Sequence, residues 1–369
     1  MIERSLTNNI NVIYQPIDGH PFCGIEIWIH FGAADDPIGR SGIAHFLEHL
    51  LYCSLDEINP YLCYNRSAST SKDRIRFGGT FGCEHAVEIV NKIIDSIFNF
   101  EIAAYHFEFQ KQKVLHEINY LVKAPILEYV DFFEKKATNP LYGYSKSTFG
   151  LAADVESIDY QFAKKYWQTN LYKGITISLT GNLDIDKIYR HVERKIEYKC
   201  ILGKSDVTNI DRADITVDAC HSGKMFVYDV GCVNKFDVLT TFDYLMFSLR
   251  DYPIIVKNFD YKQCRAICVY IPDDCEYYFQ YNQITNGLNI EKQFQNICEY
   301  RRDSFKDILY TPATLAKFNL EDTYFFEGNT LITGMRKIHE FTIDQLMGNI
   351  TRILSMPRVI ISSVNNKSI

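Results

Sequence analysis

Residues 42–52 read GIAHFLEHLLY, a run in which two imidazoles and a carboxylate sit among otherwise apolar side chains. On a helix of about 3.6 residues per turn, His45 and His49 leave one face a turn apart, and Glu48 lies beside them. Two His and a Glu in so greasy a helix are hard to explain as solvated surface. As core residues, each would need a hydrogen-bond partner of its own. The better reading is a shared metal, because H-x-x-E-H is the inverted zincin pattern. It makes His45 and His49 zinc ligands and lets the Glu48 carboxylate reach the attacking water.

A catalytic zinc usually takes three protein ligands and keeps one position for water. The third should come from another element, preferably as a carboxylate on a buried helix face. Glu117 fits, within KVLHEINYLV and flanked by Val114, Leu115, Ile118 and Leu121. His116 is its competitor, but as the adjoining residue it projects about 100° away around the helix.

The rest of the chain alternates strands and helices. NINVIYQP reads as a strand, and in FCGIEIWIHFG the residues Ile25, Ile27 and Ile29 alternate with Glu26, Trp28 and His30 as in a half-buried strand. Ser41 is placed to cap a helix over about 42–52. RIRFGGTF is strand-like, and apolar spacing predicts helices over about 84–98, 107–121 and 128–136. GITISLTGNLD is a buried strand ending in a Gly-Asn turn, followed by the helical DIDKIYRHVERKI. Periodicity lapses through Gly203–Asp206, a linker signal. Beyond it come a strand (KMFVYDVG), a helix (FDVLTTFDYLMFSLRDY), a strand (CRAICVYIP), a largely helical stretch over 281–309, a last helix (FTIDQLMGNITRIL) and a closing strand (RVIISSV). The order repeats coarsely, so the expectation is an α+β protein of two related domains, 1–205 and 206–369. Each is a mostly antiparallel sheet with packed helices, the second copy shorter and more diverged.

Composition narrows the class. A net charge of −7, with no basic stripe, argues against a nucleic-acid partner. The 11 cysteines are odd in number and form no C-x-x-C, so they read as free thiols of a reducing cytosol. No window is long and apolar enough to span a membrane. The expected location is cytoplasmic.

Four blocks, in order, resemble the pitrilysin, insulinase and mitochondrial-processing-peptidase superfamily of metallopeptidases over most of residues 5–200. GAADDPIGRSGIAHFLEHLLY is similar to its active-site segment, and SASTSKDRIRF to the edge strand on which it lays substrate. QKQKVLHEI resembles the helix that brings the third ligand. NPLYG with GLAADVESIDYQFAKKYWQTNLYKGITISLTGNLD resembles the end of the domain. The resemblance implies zinc held by His45, His49 and Glu117, with Glu48 as base. It also implies an extended peptide bound along Ser67, Ala68, Ser69 and Thr70, in a chamber suited to short or unfolded peptides.

The chain departs from that pattern in places. Sixty-seven residues separate His49 from Glu117, a compact spacing that resembles the poxviral metallopeptidase branch. Gln110 stands where the family often has a second Glu. Ser67 replaces an Asn. In FSLRDYPIIVK, Arg250 matches a carbonyl-holding Arg, while Lys257 replaces the Tyr seven positions on; Arg250 also reads as a helix-terminal surface residue. The expected function is a zinc metalloendopeptidase of half-family length. The alternatives are a metal-binding subunit of a dimer completed by a non-identical partner, another zinc hydrolase, and a viral morphogenesis peptidase.

Overall fold

The structure is a computed structural model and describes residues 2–7, 9–54, 63–121, 146–171, 173–195, 213–218, 223–231, 233–252, 254–261, 264–273, 290–325, 331–355 and 359–364. The helix expected over 128–136 and the linker at 203–206 lie outside them. The chain forms two compact units: one of residues 1–120, 146–205 and 307–327, the other of residues 121–145, 206–306 and 328–369.

The first unit is built on a six-stranded sheet of order β1-β2-β6-β3-β5-β4. The strands are β1 (Ile2–Thr7), β2 (Ile10–Gln15), β3 (Phe22–Ile29), β4 (Cys63–Thr70), β5 (Ile75–Gly82) and β6 (Ile175–Thr180). Only the β2–β6 pair is parallel. On one face Ile25, Ile27, Ile29, Ile75 and Phe77 meet Phe46, Leu47, Leu50 and Leu51 of α1 (Ile43–Ser54). Helix α2 (Ala86–Asn99) adds Ile89, Val90, Ile93, Ile94 and Ile97, a helical spacing that places one apolar stripe against this core. Next come α3 (Ala104–Leu121), α4 (Ala152–Glu156), α5 (Tyr160–Leu171) and α6 (Ile185–Lys195).

Three expectations change. Strand β3 is buried on both faces, not one: Glu26 and Trp28 are each 1% exposed. Its polar face is covered by a helix from far along the chain, α9 (Pro312–Phe325). Gly24 admits that helix, since a Cβ there would meet Pro312 backbone at 2.2 Å. The Thr180 hydroxyl donates to Pro312 O at 2.6 Å, and Asn319 donates to Gln15 at 2.9 Å. Glu26 is neutralised beneath the helix by the Arg76 guanidinium, at 2.7 and 3.1 Å, and accepts from Trp28 Nε1 at 3.0 Å.

The α1 cap is not Ser41 but Asp36, whose carboxylate accepts from Gly42 N at 2.6 Å and Ala44 N at 3.2 Å. This satisfies the first-turn amides from the preceding Asp-Pro turn. Lastly, SASTSKDRIRF is a hairpin and not one strand. It comprises β4, a turn over 71–74 closed by Ser71 N to Arg74 O at 2.8 Å, and β5.

The second unit has a five-stranded sheet of order β7-β11-β8-β10-β9. Its strands are β7 (Ala213–Asp218), β8 (Gly223–Asp229), β9 (Ile255–Tyr261), β10 (Cys264–Pro272) and β11 (Val359–Val364), with β7 and β11 parallel. Its helices are α7 (Lys235–Leu249), α8 (Ile290–Tyr310), α10 (Leu331–Glu340) and α11 (Ile343–Leu354). Thr342 and Gln345 form a reciprocal capping box at the start of α11. Buried Asp243 of α7 is held by Arg301 of α8, Nη2 to Oδ1 at 2.6 Å. The whole is α+β, two mostly antiparallel sheets with packed helices, as the sequence predicts.

Candidate metal centre

His45 and His49 share one face of α1, their rings 4.8 Å apart at 89°. Facing them from α3, Glu117 brings Oε2 to 3.6 Å from His45 Nε2 and 3.3 Å from His49 Nε2. Among the described residues this is the one group of three or more His, Cys, Asp or Glu donors that converges, all ligand atoms lying within 4.8 Å of one another. A tetrahedral ion with bonds of about 2.1 Å needs donors roughly 3.4 Å apart. The two imidazole–carboxylate edges fit that spacing, and two imidazoles with one carboxylate are the donors such an ion takes. His116 is exposed on a different face of α3.

Burial sets the electrostatics. The side-chain exposures of His45, His49 and Glu117 rise in the order 6%, 21%, 37%, so the cluster opens on the Glu117 side. Burial, with the nearby His49, pushes His45 down to about 3, opposed by the Phe149 backbone. It is therefore a neutral imidazole with a lone pair to give. Burial also lowers His49, against the pull of Glu117 and a hydrogen bond with buried Gln110. Glu48 is 8% exposed and is pushed up to about 7 by burial first and the Glu117 charge second. The Thr70 hydroxyl, donating to Glu48 Oε2 at 3.4 Å, and the Arg76 charge oppose that rise.

Strand β4 is outermost in its sheet. Ala68 pairs with Phe77 and Thr70 with Ile75, so both side chains face α1. Ser67 and Ser69 point to the other face, where Ser67 Oγ accepts from Arg76 at 3.5 Å. Arg250 lies in the second unit, exposed at the C-terminal end of α7, with Asp251 at 3.8 Å. Lys257 is exposed on β9, the outermost strand of its sheet.

Reading the sequence missed Phe149, whose ring packs edge-on against His45 at 5.4 Å. Two glycines carry the signal for it. Gly42 and Gly150 both have positive φ, +97° and +84°, and a Cβ on Gly150 would strike Gly42 at 2.3 Å. Only glycine permits both the left-handed backbone and the close approach. That contact brings the 149–150 segment onto the start of α1.

The sequence model of the insulinase family (peptidase family M16) matches residues 11–143, which hold both His, both Glu and strand β4. Over this stretch the chain is similar to the insulinase family. The family resemblance read from the sequence is borne out. Solved structures share the fold along nearly the whole chain. A protease from Helicobacter pylori is 15% identical, with a TM-score of 0.74, over 98% of this chain and 99% of that one. The peptidase M16 inactive domain from Pseudomonas fluorescens is 14% identical, with a TM-score of 0.70, over 99% of this chain and 98% of that one. The first half of the periplasmic protease PqqL from Escherichia coli is 13% identical, with a TM-score of 0.65, over 99% of this chain and 92% of that one. At these identities the likeness is one of fold. No curated protein matches the sequence significantly. Since one neighbour is an inactive domain, an insulinase-like segment by itself establishes a peptidase-like fold, and the chemistry rests on the residues. Among the described residues no helix is long and apolar enough to cross a membrane.

Proposed function

We propose that this chain is a zinc metalloendopeptidase acting on short or unfolded peptides, with the ion held by His45, His49 and Glu117. The observation that carries the proposal is the convergence of three donors beside a buried fourth group, Glu48, that has no ligand role of its own. When bound, zinc supplies Lewis acidity toward the scissile carbonyl and toward water. Glu48 takes the proton of the attacking water and hands it to the leaving amine. Its low-polarity surroundings keep its proton affinity high, which suits both halves of that transfer. Thr70 orients the carboxylate through its hydroxyl. A peptide adding as a further strand outside β4 would be read through the backbone of Ser67, Ala68, Ser69 and Thr70, with alternate side chains on opposite faces. The test is elemental analysis with a peptide assay. About one zinc per chain is expected, and Glu48→Gln keeps that zinc while losing hydrolysis. A chain that binds no stoichiometric metal when zinc is supplied refutes the reading.

A second reading is that the chain holds the metal but needs a partner to complete the site. It is favoured by Lys257, exposed on β9 where the family resemblance leads one to expect a Tyr. Removing one carbonyl-stabilising donor costs on the order of 10²–10³ in rate. A non-identical, peptidase-like subunit would then supply the Arg/Tyr pair in a dimer. Full-strength hydrolysis by a pure monomer, with solution mass measured alongside, removes this alternative.

A further inference from the structure

Cys23 stands near the start of β3 and Cys83 just past the end of β5, two strands paired so that Cys23 is opposite Phe81. Cys83 is two residues further on, its amide bonded to Pro21 O at 3.0 Å. The two side chains are thus diagonal neighbours on one face of the sheet. Their Sγ atoms lie 2.7 Å apart, closer than two sulfurs that merely pack. The pair is also unequal. Cys23 is fully buried beneath the turn after β6, where a Cβ on Gly181 would meet its Sγ at 2.6 Å. Its thiol donates only to Asn182 O, at 3.5 Å, besides meeting Cys83. Cys83 is half-buried and lines a surface cleft with Glu84, Val87, Glu88, Asn182 and Lys187. One sulfur can be reached by a small molecule; the other waits directly behind it.

We propose that Cys23 and Cys83 form a disulfide site, closed by thiol exchange with a low-molecular-weight disulfide such as oxidised glutathione. Cys83, as its thiolate, attacks one glutathione sulfur, giving a mixed disulfide and releasing one glutathione, which takes up the Cys83 proton. Cys23 then gives up its proton and attacks Cys83 Sγ, and the second glutathione leaves carrying that proton. Two protein thiols are oxidised and one small disulfide is reduced to two thiols, so electrons and protons balance. Burial, with the neighbouring Cys83, raises the Cys23 thiol in the reduced pair. The closed bond ties the start of β3 to the end of β5. Residues 24–82, which carry His45, Glu48, His49 and strand β4, become a covalent loop with fewer unfolded conformations.

The experiment exposes the full, reduced chain to graded ratios of oxidised to reduced glutathione, blocks remaining thiols and maps peptides without reduction. The expected product is a linked pair of peptides holding Cys23 and Cys83, lost on adding dithiothreitol. Cys83→Ser should abolish the link and leave Cys23 reduced, whereas Cys23→Ser should leave Cys83 carrying glutathione. The proposal is overturned if wild-type Cys83 ends at equilibrium as the glutathione adduct, if Cys23 joins a different cysteine, or if both stay reduced at the most oxidising ratio.

Discussion

Both units bury carboxylates, but they do so on different terms. In the second unit Asp243 is 3% exposed and gripped by two nitrogens of Arg301, and Glu26 of the first unit is held in the same way by Arg76. At the open end of the first unit, His45 and Glu48 are nearly as deep, at 4% and 8% exposed. There His45 faces the His49 ring, and Glu48 meets the Thr70 hydroxyl and the charge of an Arg76 already paired with Glu26. Burial pushes Glu48 up to about 7 and His45 down to about 3, each toward its neutral form. Burial raises Asp243 as well, but Arg301 opposes that rise with both its charge and its hydrogen bonds, so this paired charge reports on stability. A buried cluster with no counter-ion of its own is tolerated for what it binds.

Loss of a donor should separate the two regions most sharply. His45→Ala or Glu117→Ala should abolish stoichiometric zinc and peptide hydrolysis together, as elemental analysis and a peptide assay will show. Next comes the paired region. Arg301→Met strands Asp243 without its partner and should cost ~3–5 kcal/mol in denaturant unfolding, with no direct consequence for zinc. Glu48→Gln should lower hydrolysis by at least ~100-fold while keeping the metal. In the chelated protein it should not reduce stability as Arg301→Met does, and equal losses from the two variants would erase the distinction drawn here.

The folded pKa of Glu48, about 7, lies above the ordinary 4.5. Its contribution to stability is therefore present below about 4.5 and lost as pH rises through about 7. The metal-free parent should weaken relative to Glu48→Gln across that window. In the assay the base must be unprotonated, so activity falls as pH drops, and a bound cation places that limb at or below about 7. The smallest effect expected is from Thr70→Val, which removes the hydroxyl favouring the carboxylate and should move the acid limb upward. A limb that stays in place would remove Thr70 from the site.

The sequence disclosed the site better than the fold around it. His45, Glu48 and His49 are legible because helical periodicity is local, and Glu117 because its flanks repeat the same apolar spacing. Strand β1 was not legible, since IERSLT is an exposed outer strand whose residues carry no alternation. Strands β7 and β9 are likewise outermost in their sheet. Alternation in β3 marks which face is apolar, but says nothing about a helix arriving from residue 312 to cover the polar one. The Asp36 cap and the Gly42–Gly150 contact are likewise settled by segments that meet only in the folded chain.

The covering of β3 and β6 by α9 also fixes an order of events during synthesis. Thr180 and the carbonyl of Pro312 that it bonds are 132 positions apart. At translation rates of ~5–20 residues per second, roughly 7–26 s pass after the last strand of the first sheet leaves the ribosome before its cover can arrive. During that interval Gly24 and the Thr180 hydroxyl face solvent or a chaperone, and a nascent chain stopped near residue 205 never closes this surface.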